Sequence, residues 1–449
     1  MGWSGGFPSG DEPASTVTCD VHFRDRLFSN DRFPLKWALA VLLLALGLRL
    51  GAACWWESRR PADAPFAFGD SVSYWHLARR IARGEPYAYP DERARIFRTP
   101  LYPLVLSPLF LVWGDHPPVL AARLIGVALG VWAVWEIMRL GRSLAGWRAG
   151  LGAGVLAACY PGAVAMSVFV LAESLFSPLM AAGLVWLVLA YERVKRRKNS
   201  AMVAVAAGLL SGLASLARPS WLLFLPFALV FLLLDRRCRL WDRGRLAAWA
   251  LLGLAVAMTP WWYRSYRLTG HFVLTTLQVG ASLYDGLHEG ATGASDMTFT
   301  RSFDRRFAAD WQADQGEDYE YALDRAYRRA AWRWARDNPA RAGALVWAKL
   351  RRMWLPWPSA QMFSGGMVRL AVAGTFLPIL TLGAIGWWLR RRDGWPIWLL
   401  AFPAIYFTIL HVIFVSSIRY RQPAMLVWCV PAGWCLLWMW QRWCSRGSD

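Results

Sequence analysis

Two carboxylates, Asp70 and Glu173, stand at the edges of apolar stretches in which acids are scarce, and Glu173 is the only acid between residues 149 and 191. A carboxylate beside lipid costs free energy, so its presence points to function. Arg98, Arg218, Arg264, Arg267, Arg419 and Arg421 fall at similar edges. Guanidinium forks match phosphate oxygens, so several converging would bind an anionic head group. A carboxylate among them can take a proton from a hydroxyl while that hydroxyl attacks. Each residue has a plainer reading. Asp70 can cap a helix over 71–83 that carries Tyr74, Leu77, Ala78 and Ile81 on one face and stops at Gly84. Glu173 can begin a helix facing water, and any single arginine can anchor a span at the interface.

Other chemistries find no support in the sequence. Seven cysteines include no CxxC pair and no His spacing suited to zinc, which leaves them as apolar filler or free thiols. Gly150, Gly152 and Gly154 do not follow a strand, so no dinucleotide or phosphate loop is expected. There is no Ser/His/Asp nucleophile arrangement and no DxD motif, and outer carboxylates beyond Asp70 and Glu173 are not clustered. The expectation is therefore no cofactor and no metal site, with a divalent ion possible but not favoured.

The elements that must position these residues are membrane spans. The chain has 449 residues, 56% hydrophobic, with 30 Trp and only 18% charged, which predicts an all-α polytopic membrane protein. A net charge of +20 could suggest nucleic acid, but the basic residues lie in short clusters between apolar segments, as in loops facing anionic lipid. Nucleic acid is not an expected partner; membrane lipids are. Ten spans are expected, at 35–54, 118–138, 149–168, 173–191, 200–217, 219–234, 246–263, 368–389, 396–416 and 423–441. The segment 101–113, "LYPLVLSPLFLVW", reaches only about 20 Å against a hydrocarbon core of about 30 Å. Leaving it out puts the basic loops at 139–148, 193–198, 235–245 and 390–393 together on the cytoplasmic side. It is then a juxtamembrane or re-entrant helix of the first outer loop.

That topology gathers Asp70, Glu173 and the arginines on the outer face. The expected organisation is a disordered cytoplasmic N-terminus at 1–33, a transmembrane domain at 34–443 with outer loops 55–117 and 264–367, and a cytoplasmic tail at 444–449. The first span lacks a small-residue cleavage site after it and reads as an anchor. Loop 264–367 is too long to lack structure, and its later part reads as two helices broken at Asn338-Pro339, with Arg/Trp faces suited to the interface. The spacings Gly126/Gly130 and Gly208/Gly212 suggest close helix packing.

The ordered blocks "LRL" at 48–50, "GDSVSYWHLARRIARGEP", "FRTPLYP", "AARLIGVALGV", "YPGAVAMSVFVLAES", "ARPSWLLFLP", "TPWWYRSYRLTGHFVLTTLQVGASLYDGLHEGATG" and "RYRQPAM" resemble the C-type (GT-C) membrane glycosyltransferases related to protein O-mannosyltransferases and aminoarabinose transferases. The resemblance runs over about residues 40–443 and implies the GT-C fold. It also implies transfer of a sugar from a polyprenyl-phosphate donor to a lipid, glycan or protein hydroxyl at the periplasmic face of a bacterial inner membrane; attack opposite to the phosphate would invert the anomeric centre. By the same resemblance Asp70 is the catalytic acid of the first outer loop, Glu173 the second, and Arg98 the donor-binding position, where a related branch has Lys. Arg218, Arg264, Arg419 and Arg421 are then the further phosphate-binding candidates, and Tyr74, Tyr102 and His288 the pocket candidates. The alternative from another class is a transporter or flippase of a lipid-linked sugar; it would favour internal repeats, and none are evident.

Overall fold

The computed structural model describes residues 33–61, 64–311, 317–358, 363 and 365–446. The expected disordered N-terminus, apart from Phe33, and the last three residues of the expected tail lie outside these. Helix α1 (Leu35–Arg59) starts behind Pro34 and is followed by α2 (Gly69–Ala82) and α3 (Leu101–Trp113). Gly84 and Gly114, at φ +66° and +64°, supply the left-handed residues that turn the chain out of α2 and α3. Tyr74, Leu77 and Ala78 are buried on the face that the spacing predicts. They pack on α3 through Tyr74 against Tyr102 and Trp75 against Phe110, with ring centroids 5.1 and 4.9 Å apart.

Helix α4 (Val119–Cys159) is 41 residues long, but its backbone leaves the helical region at Ala145 and Gly146. Gly146 has φ +82°, which a side chain resists. The two arms serve the segments expected at 118–138 and 149–168, and the second is interrupted at Tyr160 before α5 (Pro161–Val168). Then come α6 (Glu173–Lys195), α7 (Ala201–Ala217), a short 3-10 turn at Pro219–Trp221, α8 (Phe224–Leu234) and α9 (Leu240–Thr269). A Cβ at Gly208 would strike the Ala250 carbonyl, so the glycine spacing in α7 lets α9 approach closely.

The long connection is helical, as expected, and adds α10 (Val279–Gly286) and α11 (Thr300–Asp310) to the predicted pair α12 (Tyr319–Asp337) and α13 (Pro339–Trp354), which break at Asn338. The bundle ends with α14 (Gly366–Arg390), α15 (Trp395–Ile413) and α16 (Ile418–Arg446). Among the described residues, seven helices are long and apolar enough to cross a membrane. The sequence count of ten treats the arms of α4 separately and adds α7 and Pro219–Leu234, which are shorter apolar helices.

The bundle has two distinct ends. At one, Arg390 Nη1 donates to the Leu144 carbonyl, Tyr191 Oη and the Trp395 N–H donate to Asp235, and Arg237 reaches the Arg392 carbonyl. The four basic loops therefore meet there, beside the start of α1, where Arg142 lies over Phe33. At the other end Arg123, near the start of α4, pairs with Glu57 and donates to the Val168 carbonyl. Arg83, after α2, pairs with Asp115, after α3. The C-terminal end of α3 is thus tied to that of α2, and α3 itself, at 13 residues, is one of the shorter apolar helices.

Candidate active site

At that second end lies a cavity of about 1070 Å³. The segment between α1 and α4, the starts of α6 and α16, the turn after α7, the last turns of α15 and helices α10, α11 and α12 enclose it. Five side chains from five places form an alternating row across its wall. Arg98 Nη2 donates to Asp70 Oδ1 at 2.5 Å, and Arg419 Nη2 donates to Asp70 Oδ2 at 2.7 Å. Arg419 Nε lies 2.9 Å from Glu173 Oε1, and Arg218 Nη1 lies 2.8 Å from the same oxygen. Three cations and two anions leave one positive charge in excess.

Local structure explains how each arrives. Asp70 does not cap α2, a correction to the plainer reading: the cap position is Phe68, and no side chain bonds there. The carboxylate instead sits in the first turn and points to the arginines. Glu173 is the first residue of α6 and is buried at 3% exposure, so it does not face water. Both anions lie at helix N-termini, where the macrodipole favours negative charge. Arg98 is set by the turn before α3, Arg218 by the extended residue between α7 and Pro219, and Arg419 by the first turn of α16. Aromatic rings floor the row: Arg98 lies 5.3 Å from the Tyr74 ring and Arg218 5.1 Å from Tyr420.

Burial alone would raise the Asp70 carboxyl, but the guanidiniums of Arg98 and Arg419 outweigh it and hold the group well below the usual carboxylate range. The Tyr74 hydroxyl is pushed up to about 12, chiefly by burial. Arg98 Nε is buried without a hydrogen-bond partner among the described residues.

Asp70, Glu173, Arg98, Arg218, Arg419 and Tyr74 all line the cavity. Four other candidates do not. Arg264 donates to the carbonyls of Arg95 and Tyr87, and Arg421 is buried against the Met353 carbonyl and the Phe376 ring; both brace backbone. Tyr102 sits behind Tyr74, and His288 stacks on Tyr284 while bonding its carbonyl. Reasoning from sequence also missed lining residues. Tyr420 lies between two arginines in "RYR" and was within reach; His411, stacked on Tyr420 at 4.2 Å, and Glu320, one acid in a run of several, carried no signal.

The cavity has an apolar flank at Leu222, Leu223, Phe272 and Leu274, of which Leu223 and Phe272 are more than half exposed at 53% and 61%. Asp91, Arg93, Asp304, Tyr319 and Tyr327 also line it. Among the described residues, no group of three or more His, Cys, Asp or Glu is arranged to hold a metal ion.

Residues 98–263 match the family model for dolichyl-phosphate-mannose-protein mannosyltransferase, a stretch that holds Arg98, Glu173 and Arg218 but not Asp70 or Arg419. The fold is similar to the archaeal oligosaccharyltransferase AglB from Archaeoglobus fulgidus in complex with an inhibitory peptide and a dolichol-phosphate. That match has a TM-score of 0.57 and 14% identity, over 92% of this chain and 51% of that one. It is likewise similar to the apo oligosaccharyltransferase of the same organism, with a TM-score of 0.56 and 15% identity over 88% and 50%. ArnT from Cupriavidus metallidurans, bound to undecaprenyl phosphate, matches with a TM-score of 0.41 and 16% identity over 91% and 78%. The chain spans about half the length of the oligosaccharyltransferases. No curated protein matches it in sequence. The molecule is a multi-pass membrane protein with the GT-C fold of the C-type glycosyltransferases. Its middle segment carries the match to the mannosyltransferase family model.

Proposed function

We propose that the chain transfers a sugar from a polyprenyl-phosphate donor to an acceptor hydroxyl on a lipid, glycan or protein, at the periplasmic face of a bacterial inner membrane. The observation that carries this is the charged row with one excess positive charge beside an apolar flank. A phosphodiester brings one negative charge and balances the row, and its lipid tail can leave past Leu223 and Phe272 into the bilayer. The dolichol-phosphate in the AglB complex and the description of the matching family support the donor class.

The acceptor oxygen attacks the anomeric carbon from the face opposite the phosphate, the carbon–oxygen bond to phosphate breaks, and the configuration inverts. Polyprenyl phosphate leaves with the bonding electrons, and the arginines stabilise its growing charge. The acceptor proton goes to Asp70. Clamped by Arg98 and Arg419, Asp70 is ionised but weakly basic. Donor phosphate competes for those guanidiniums, and drawing one away raises the basicity of Asp70 when the base is needed.

The test is a transfer assay with purified protein in lipid nanodiscs. It should consume polyprenyl-phosphate sugars and release polyprenyl phosphate. Transfer from a nucleotide sugar without any lipid carrier would contradict the proposal.

A further inference from the structure

Glu320 stands in the first turn of α12, far along the chain from the first outer segment, yet it holds that segment. Its Oε2 accepts the N–H of Arg95 at 2.7 Å and of Ile96 at 2.9 Å, while Oε1 lies 3.1 Å from the Ile96 nitrogen. The residue is buried at 7% exposure and reaches the cavity wall. The carbonyl side of the same dipeptide is held from elsewhere: Arg264 donates to the Arg95 carbonyl at 2.9 Å, and the Leu277 N–H donates to the Ile96 carbonyl at 3.1 Å. Asp318 accepts from the Arg95 guanidinium at 2.7 Å. Two residues further on is Arg98, whose side chain meets Asp70.

We infer that Glu320 is a positioning residue that ties the long outer connection to the 95–98 turn and so fixes Arg98 against Asp70. The inference rests on reading Asp70 and Arg98 as part of the reaction site. Loss of the carboxylate takes away the acceptor of the Ile96 N–H and leaves the Arg95 N–H only its longer 3.2 Å bond to the Arg93 carbonyl, so the turn can drift. A displacement of about 1 Å at a reacting group can cost about 100-fold in rate.

The tether also has a pH dependence. Burial raises the Glu320 carboxyl to about 7, although the two backbone N–H bonds pull it down. The ionised form, which accepts with both oxygens, is therefore populated above that pH and lost below it. The charged groups facing it are the cations Arg95 and Arg264 and the anion Asp318. His271, stacked on Tyr321 at 4.0 Å, is the nearby imidazole.

The experiment has two arms, on full-length protein in nanodiscs. In the first, hydrogen exchange is followed at the amides of Arg95 and Ile96 in wild type, Glu320→Gln and Glu320→Ala. Exchange should be faster in Glu320→Ala and intermediate in Glu320→Gln, whose single carbonyl oxygen can replace Oε2 only. In the second, kcat/KM for a polyprenyl-phosphate sugar is measured on both sides of pH 7. Wild type and His271→Gln should lose activity below that pH, whereas Glu320→Gln should be reduced about 10-fold above it, less than the cost of a full 1 Å displacement, and flat across it. Unchanged exchange in Glu320→Ala, or wild-type kinetics and pH profile in Glu320→Gln, would overturn the inference. If wild type transfers no sugar from any lipid-phosphate donor, the functional reading fails, and the exchange arm still decides whether the tether exists.

Discussion

Asp70 and Glu173 share Arg419, so neither anion can be changed without altering the other's partner. Glu173 is the more buried of the two and holds two arginines through one oxygen. Removing its charge leaves Arg218 without this counter-ion, whereas Arg419 keeps Asp70, and breaking a buried pair costs about 3–5 kcal/mol. Glu173→Gln should therefore lower the melting temperature of the purified protein by several degrees, which a thermal shift series would detect; an unchanged melting temperature would mean that the pair contributes nothing net. Arg218→Lys keeps the charge but loses the planar fork, and it should raise the donor KM about tenfold, equivalent to about 1.4 kcal/mol, with a smaller change in kcat. Equal donor KM values for the two proteins would remove Arg218 from phosphate binding. At this scale the sequence was informative because acids and arginines at span edges are costly and few. It showed the height of each residue in the bundle but not its direction around a helix axis, so Arg264 and Arg421 looked the same as Arg218 and Arg419. Only tertiary packing turns two of them to backbone carbonyls and two to the cavity.

Among the elements, α3 and the break in α4 carry the topology. The length of α3 and its two prolines made it legible as a short helix, and the Arg83–Asp115 pair ties its C-terminal end to that of α2. The break at Ala145 and Gly146 was legible only as a boundary between apolar runs, because a single positive φ leaves little trace in composition. A side chain at Gly146 would strain the backbone by about 1 kcal/mol or more. Gly146→Val should accordingly fold in lower yield than Gly146→Ala, as measured by size-exclusion recovery, and equal yields would show that the turn relaxes freely. Helices α10 and α11, of eight and eleven residues, escaped the sequence reading because they are too short to give a sustained period. Charge placement also makes a sidedness prediction. Cysteines introduced at Lys195 and Arg237, at the basic end, should resist an impermeant thiol reagent in intact cells; labelling from outside would reverse the proposed orientation.

For the molecule as a whole, the two ends of one bundle divide the work. The basic loops gather at one end, and the opposite end presents a cavity in which charge, aromatic rings and an apolar flank meet. The overall fold was legible because spans, loop charge and ordered motifs all pointed the same way, while no motif in the sequence names a sugar or an acceptor for the proposed reaction. The central claim is that Asp70 takes the acceptor proton. The most direct measurement is single-turnover transfer by purified Asp70→Asn protein, alongside its affinity for polyprenyl phosphate. Asn preserves shape but cannot accept that proton, so the variant should fold and bind the lipid phosphate while turnover falls by about 10²- to 10⁴-fold. Near-normal turnover by correctly folded Asp70→Asn protein would contradict the account.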